Sequence, residues 1–316
     1  MKSRAMVVAL GALALFSTPA AAQLVFSESW DDLNGASRWS APITVLETPP
    51  LGWDGLVDYA FDYSALGAPS APHSSGGSTI GLRLESNKTD SPGDEGEAVG
   101  VIPLSALAAI PAGDFSLKVD VYSFVNTGDA TTEYSTVGVF NHGTSVPLRF
   151  GLSNGDGLAW SFTGEDGSGN NTNFYRFANP PGTQAGFLDW EDIPPGSVPG
   201  VNTCVPGVTC PGNTALGPQN RWVEVEIKSV AGMVSFAVNG YVIDTYNNTS
   251  GDLSGGTLLL SESDPFNSVS VPDASGYKVL TVFDNVRLFN VPEPNSMLLA
   301  LAAGAIGWLG RRSRSK

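Results

Sequence analysis

The sequence predicts an all-β body, a sandwich of two antiparallel sheets, flanked by two short segments of a different kind. Turn-forming residues are dense throughout, with 37 Gly and 22 Pro among 316 residues. Between the turns, apolar residues alternate with polar ones in short runs that are typical of strands. The apolar segments of helix length lie at the two ends of the chain, so residues 23–290 form the predicted body.

Several strands can be assigned along this body together with their faces. Residues 115–122 and 223–228 alternate between apolar and polar side chains, which predicts one buried face in each strand. Asn239-Gly240 separates two apolar alternations and predicts a tight hairpin. Residues 258–260 and 279–289 are apolar on both faces, as expected of strands in the centre of a packed sheet.

Three of these segments carry a family resemblance. Residues 222–227 read Trp-Val-Glu-Val-Glu-Ile, residues 234–240 read Val-Ser-Phe-Ala-Val-Asn-Gly, and residues 283–288 read Phe-Asp-Asn-Val-Arg-Leu. In pattern and order they resemble the closing strands of concanavalin A-like, laminin-G-type jelly rolls, and residues 26–32 stand where such domains place their first strand. The resemblance implies a concanavalin A-like jelly-roll sandwich for the body, and it supports fold better than function.

The amino-terminal segment predicts export. Lys2 and Arg4 precede an apolar run over residues 6–16, and small residues follow up to Ala20 and Ala22, which form an A-x-A site. This order is that of a signal peptide over residues 1–22, cleaved after Ala22. The alternative, a first transmembrane helix, is disfavoured because the apolar run is too short and no stop-transfer charges follow it.

The carboxyl-terminal segment has three parts. A Pro-rich tetrapeptide opens it, an apolar run over residues 297–309 follows, and a basic stretch ends it. The run is shorter than the roughly 20 residues of a permanent transmembrane helix, and the basic end is expected on the cytoplasmic side. An ordinary membrane anchor and a buried core helix are the alternatives. The residues that define the first and last parts are Val291, Pro292, Glu293, Pro294, Arg311 and Arg312.

This arrangement over residues 291–316 resembles the PEP-CTERM sorting signal of exported bacterial proteins. The resemblance implies a single transmembrane sorting helix and recognition by an exosortase, a membrane cysteine transpeptidase that would cut near the tetrapeptide. The chain would then be anchored transiently in the membrane before it reaches the cell surface or extracellular matrix. We therefore expect exosortase as a transient partner.

The charge of the body excludes one class of partner. Six of the 16 Lys and Arg residues lie in the two terminal segments, whereas nearly all of the 31 Asp and Glu residues lie in the body. Binding to nucleic acid depends on neutralising phosphates with Lys and Arg, so we expect none here. Calcium, neutral glycans and basic partners remain compatible with this charge.

Residue motifs give no support for catalysis. Laminarinase-type members of the resembled fold carry two catalytic carboxylates in an E-x-D-x-x-E pattern, which the sequence lacks; Glu224 and Glu226 share a face without the third residue. His73 and His142 lie in Ser- and Gly-rich stretches outside any metal-spaced pair, and we interpret them as loop residues. We predict no enzyme. A glycan-active hydrolase or lyase remains the alternative, because two carboxylates can be brought together in space.

Four residues are candidates for a metal or ligand site. Asp284 falls in phase with Leu280, Val282, Val286 and Leu288 of the last strand, so its carboxylate, at an inward position, needs a partner. The family resemblance implies structural Ca²⁺ between an acidic residue of the first strand and an Asp of the last, which would be Glu28 and Asp284; hydrogen bonds from the backbone are the alternative. Trp53 and Trp190 are candidate platforms for sugar rings, or core residues.

Two cysteines complete the sequence-based expectations. Cys204 and Cys210 enclose five residues, and in an oxidising compartment such a pair is expected to form a disulfide that closes the loop. Together the observations predict an exported surface or matrix protein, structural or carbohydrate-binding, linked to exopolysaccharide or biofilm.

Overall fold

The computed structural model describes residues 21–46, 53–88, 96–125, 133–149, 153–164, 173–201, 217–266, 276–277 and 279–292. Several of the predicted features lie outside these ranges: the signal peptide up to Ala20, the pair Cys204 and Cys210, and the sorting segment with Glu293, Pro294, Arg311 and Arg312.

Seventeen strands are found in the described residues. They are β1 (Gln23–Glu28), β2 (Ile43–Leu46), β3 (Leu56–Asp62), β4 (Ile80–Glu85), β5 (Glu97–Val101), β6 (Phe115–Phe124), β7 (Tyr134–Asn141), β8 (Pro147–Leu148), β9 (Ser153–Asn154), β10 (Gly157–Thr163), β11 (Phe174–Asn179), β12 (Thr183–Leu188), β13 (Trp222–Val230), β14 (Met233–Val238), β15 (Tyr241–Asn247), β16 (Thr257–Asp264) and β17 (Leu280–Asn290).

Helical structure in the same ranges is short. It consists of α1 (Gly35–Arg38) and of single 3₁₀ turns at Tyr63–Leu66, Ser75–Gly77, Ala106–Ala108 and Trp190–Asp192. Within the part of the chain that the structure describes, none of these helices has the length and apolar character needed to cross a bilayer.

Two antiparallel sheets face each other, which confirms the predicted all-β sandwich. The front sheet has the order β15-β14-β13-β6-β17-β4-β3, with β1 also paired to β17. The back sheet has the order β12-β11-β10-β7-β16-β5-β2. The predicted central positions of β16 and β17 are confirmed, because each has neighbours on both sides.

The core between the sheets is built from the inward positions of the alternating strands. Leu117, Val119 and Val121 of β6 are fully buried in it, as the sequence pattern predicts. Trp160 of the back sheet stacks on Phe236 of the front sheet, with ring centroids 5.6 Å apart. Aromatic contacts of this kind stabilise the sandwich by about 0.5–1.5 kcal/mol beyond the area they bury.

Residues 63–79, between β3 and β4, lie over the outer face of the front sheet. Tyr63 and Ala68 of this cover segment pack against Tyr122 and Leu280 in a second, smaller apolar cluster. The indole Nε1 of Trp222 donates a 2.7 Å hydrogen bond to the Pro69 carbonyl oxygen. One region of the outer face is therefore enclosed rather than open to water.

The first and last strands meet at one end of the sandwich. Gln23 lies opposite Asn290, and Glu28 lies opposite Val286. The backbone N–H of Val291 donates to the carbonyl oxygen of Asp114, and Val291 and Pro292 are half-buried. The chain therefore leaves the sandwich beside the strand with which it begins.

Candidate functional site

Three carboxylates lie in a row across the outer face of the front sheet. Asp120 of β6 is opposite Glu224 of β13 on one side and opposite Asp284 of β17 on the other. Asp120 and Glu224 occupy the polar phase of strands whose other phase enters the core, so alternation directs them outward. Three acidic side chains on neighbouring strands repel one another unless donors or cations surround them.

A β-bulge in the last strand produces part of this arrangement. The pairing of β17 with β6 shifts between Asp284 and Arg287, and Asn285 has a φ of 50°. Phe283 and Val286 face the core, while Asp284 and Asn285 both reach groups on the outer face. The expectation that Asp284 shares a face with Val286 and Leu288 is wrong, because the extra residue reverses the phase of the strand.

The cover segment brings polar side chains onto the row. The His73 Nδ1 atom lies 2.8 Å from Asp120 Oδ1, and its Nε2 atom lies 3.5 Å from Glu224 Oε2. Ser74 Oγ and the Tyr63 hydroxyl donate to Asp284 Oδ2 at 2.9 and 3.0 Å. The segment is thus attached to the sheet through the row of acids.

Two basic residues neutralise the exposed end of the row. Lys118 Nζ lies 2.7 Å from Glu224 Oε1, and Arg287 Nη2 lies 2.8 Å from Glu224 Oε2. Burial alone would raise the pKa of Glu224, but the hydrogen bonds and charges of Lys118 and Arg287 outweigh it and lower that pKa. Glu224 is therefore held ionised at the edge of the site.

Asp284 behaves in the opposite way. Burial raises the pKa of Asp284 to about 7, although Ser74, the backbone N–H of Asn285 and Tyr63 donate hydrogen bonds that oppose the shift. Glu224 and Asp284, the acids at the two ends of the row, therefore have opposite pKa shifts, as their different surroundings require.

The Asp284 shift can be tested directly. We expect a ¹³C NMR titration of its carboxyl group to have its midpoint near pH 7. The folded-state pKa lies above the unfolded value of about 4. The contribution of Asp284 to stability is therefore complete below about pH 4 and is lost as the pH rises through about 7. Asp62 is the internal control: hydrogen bonds from Ser64 and Thr79 lower its pKa. An Asp284 midpoint below pH 5 would contradict the enclosed environment.

The group can also hold a cation. Among the described residues, the ligand atoms of His73, Asp120 and Glu224 lie within 4.8 Å of one another. One imidazole nitrogen with two carboxylates suits zinc or a similar transition metal better than Ca²⁺, which takes six to eight oxygen ligands. A bound cation would compete with Lys118 and Arg287 for Glu224.

The predicted metal pair of Glu28 and Asp284 is not brought together. Arg38 Nε lies 2.6 Å from Glu28 Oε2, and Arg38 Nη2 lies 2.7 Å from Glu28 Oε1. The Trp39 indole and the backbone N–H of Trp30 donate to the same carboxylate. The pairing is wrong because Glu28 is satisfied by Arg38 and Asp284 by the cover segment.

The two predicted sugar platforms have different surroundings. Trp190 is fully buried, and its Nε1 donates to the Thr163 carbonyl oxygen at 3.1 Å. This assignment is therefore wrong, since the ring packs against Phe174 inside the core and offers no face to a ligand. Trp53 is half-buried at the edge of the core, and a role for it in ligand binding stays a prediction.

A second acidic group lies inside the sandwich, on the inward face of the back sheet. Glu262 and Asp264 of β16 continue the inward phase of Leu258 and Leu260, and Glu97 is opposite Asp264. Ser86 Oγ donates to Glu262 Oε2 at 2.6 Å, whereas the buried Oε1 atom has no hydrogen-bond partner. Burial raises the pKa of Glu262 well above its ordinary value, and nearby carboxylates add to that shift.

The comparisons with known proteins identify the end of the chain. Residues 290–315 match a family model described as the PEP-CTERM protein-sorting motif. The chain carries this sorting motif. It is therefore an exported protein, anchored transiently in the membrane through its C-terminal segment. No curated protein is similar enough to the chain to count as a relative.

Solved structures resemble the body only distantly. A Bacillus subtilis protein of unknown function with a galectin-like fold has 9% identity and a TM-score of 0.45, over 87% of this chain and 100% of the other. The carbohydrate-binding module CBM66 from Bacillus subtilis has 9% identity and a TM-score of 0.34, over 66% and 86%. The VIP36 exoplasmic/lumenal domain bound to Ca²⁺ and Man2 has 10% identity and a TM-score of 0.40, over 81% and 90%. Similarity at this level says nothing about what this chain binds.

Proposed function

We propose that the chain is an exported, non-catalytic surface or matrix protein that binds polysaccharide on the outer face of the front sheet. The outer-face site consists of His73, Lys118, Asp120, Glu224 and Arg287. The proposal depends on one observation: acidic, basic and imidazole groups meet at a partly exposed position beside an aromatic ring. His73, Glu224, Lys118 and Arg287 each keep part of their side chain accessible, and Trp222 lies two residues from Glu224 on the same strand face.

The chemistry of these groups suits sugar hydroxyls. Each hydroxyl both donates and accepts hydrogen bonds, so a carboxylate next to a guanidinium or ammonium can engage neighbouring hydroxyls on one ring. The Trp222 ring packs against Tyr63 and Tyr122, at centroid distances of 5.0 and 5.2 Å. A site held by such contacts loses little conformational freedom on binding.

The same geometry supports a non-catalytic role. Glycoside hydrolysis needs a protonated carboxyl group and an ionised one that both reach the substrate. Here the carboxyl group with the raised pKa, Asp284, is enclosed under the cover segment. The accessible one, Glu224, is held ionised by Lys118 and Arg287. A glycan-active enzyme remains the alternative function for the test below.

We further propose that His73, Asp120 and Glu224 take up a divalent cation, with Zn²⁺ preferred over Ca²⁺. Their mixed nitrogen and oxygen ligands support this choice. The same proposal covers the processing of the chain. It includes a signal peptide over residues 1–22, exosortase cleavage near Val291–Pro294 and a Cys204–Cys210 disulfide. It also includes a link to exopolysaccharide or biofilm.

Polysaccharide binding can be measured by electrophoretic retardation in native gels that contain a panel of neutral and acidic polysaccharides. We expect the wild-type protein to be retarded, and His73→Ala and Glu224→Gln to lose at least about tenfold in affinity, the loss expected for one or two charged hydrogen bonds. His142→Ala is the matched control, because His142 also lies beside an aspartate, 3.2 Å from Asp156 Oδ1, at an unrelated site.

Two further measurements separate the alternatives. Equal retardation of the wild type and of both site variants would place binding elsewhere. New reducing ends in the same mixtures would instead establish a glycan-active enzyme. Addition of Zn²⁺, Ca²⁺ or a chelator tests the cation, since a thermal shift with Zn²⁺ should vanish in His73→Ala and persist in His142→Ala.

A further inference from the structure

Exposed apolar side chains gather at one end of the sandwich. Among the described residues, large hydrophobic side chains are exposed at seven positions, which are Leu24, Leu33, Leu104, Leu107, Val230, Met233 and Val242. Leu24 lies opposite Phe289, near the end of the last strand. Val230 and Met233 flank the β13–β14 turn, and the neighbouring Ser229 is in line with Phe115 and Asn290 across the front sheet.

Two more of these residues belong to the same end. Leu104 and Leu107 line an open cavity of about 600 Å³ together with Leu24, and they are 63% and 68% exposed. Five of the seven exposed side chains therefore surround the point at which β17 ends. We name Leu24, Leu104, Leu107, Val230 and Met233 the C-terminal rim.

The sorting motif fixes how far this rim can be from a membrane. The apolar run of the motif begins at Met297, and six residues, 291–296, lie between it and Asn290, the last residue of β17. The seven residue-to-residue steps from 290 to 297 span at most about 25 Å when fully extended. While the apolar run is in the bilayer, the rim is thus held within a short distance of the lipid headgroups.

We propose that the C-terminal rim rests on the surface of the lipid bilayer while the sorting segment is inserted. Exposed leucines and methionine are unfavourable in water and favourable at the boundary between headgroups and acyl chains. The body is strongly acidic, so apolar contact rather than attraction to anionic lipid holds the rim in place. This proposal depends on the sorting motif and is independent of polysaccharide binding.

The orientation that follows has a consequence for the outer-face site. Asn290 lies six positions after Asp284 along β17, which corresponds to at most about 20 Å along a strand. With the rim on the bilayer, the site is lifted clear of the headgroups and remains accessible to an extracellular polymer.

Photo-crosslinking in the full-length chain tests the contact. The unprocessed protein is reconstituted in vesicles of phosphatidylethanolamine with a minor fraction of phosphatidylglycerol. A diazirine side chain replaces Leu107 or Met233, and Val242 serves as control because it is 52% exposed on the edge strand β15, away from the rim. We expect lipid adducts at positions 107 and 233 and few at position 242.

A second variant tests whether the leucines themselves hold the rim on lipid. With the diazirine at position 233, the changes Leu104→Ser and Leu107→Ser together should lower the yield of lipid adducts at least about tenfold. Val242→Ser should leave the yield unchanged. Equal lipid labelling at positions 107, 233 and 242 would overturn the proposal. So would adducts to protein at positions 107 and 233, whether to a second copy or to another membrane protein.

Discussion

Replacing Glu262 with glutamine is expected to raise the free energy of unfolding by about 1–3 kcal/mol at pH 8, the usual cost of one unsatisfied buried polar atom. Glu262 is fully buried, and its Oε1 atom has no hydrogen-bond partner. An amide in its place carries no charge, so it does not repel the nearby carboxylates of Glu133, Asp264 and Glu85. Urea denaturation of both proteins at several pH values measures the difference.

The gain should depend on pH with a definite sign. Burial raises the pKa of Glu262 above its unfolded value of about 4.3. The contribution of Glu262 to the stability of the wild type is therefore complete below that value and is lost as the pH rises through the folded-state pKa. Glu262→Gln lacks this loss, so its advantage should be larger at pH 8 than at pH 5. Glu226→Gln, on the outer face of β13, is the matched control. An advantage that is constant with pH would contradict the assignment.

Arg38→Leu is expected to destabilise the protein by about 3–5 kcal/mol, because it leaves the Glu28 carboxylate buried without its cation. Glu28 is 7% exposed and has two short contacts to Arg38. Arg38 also contacts Asp32, which is exposed, so Asp32→Asn should change stability little. Thermal unfolding of the three proteins measures the effects.

The same variants distinguish the two interpretations of Glu28. If Glu28 were a Ca²⁺ ligand, as the sequence suggested, added Ca²⁺ would restore the stability of Arg38→Leu by replacing the lost positive charge. We expect no restoration, since Glu28 and Asp284 have separate partners. Recovery with Ca²⁺ would contradict the ion pair as the group that satisfies Glu28.

The strands were predictable because their signals are local. The hairpin at Asn239 and Gly240 follows from residue type alone, and both residues adopt the positive φ values, 47° and 80°, that a tight turn requires. The alternation in β6 and β13 identified the core face, because a two-residue period of apolar side chains is visible without knowledge of the partner strands.

The outer-face site could not be predicted in the same way. His73 meets Asp120 across 47 residues, and nothing in its Ser- and Gly-rich stretch signals that contact. Asp120 and Glu224 were visible as polar positions of their strands, but only the register places them side by side. Asp284 was recognised as unusual, yet its direction depends on a bulge that the apolar pattern does not reveal.

The central position of β17 has a consequence for the order of assembly. Chains are synthesised from the amino end, so the last strand of the body is the one that must enter between β6 and β4. Until it does, two strands of the front sheet present unpaired edges and the cover segment lacks Asp284 as its anchor. Completion of the sandwich thus coincides with the appearance of the sorting segment. A chain that ends before residue 280 would lack both β17 and the sorting segment, so it could neither complete its fold nor be sorted.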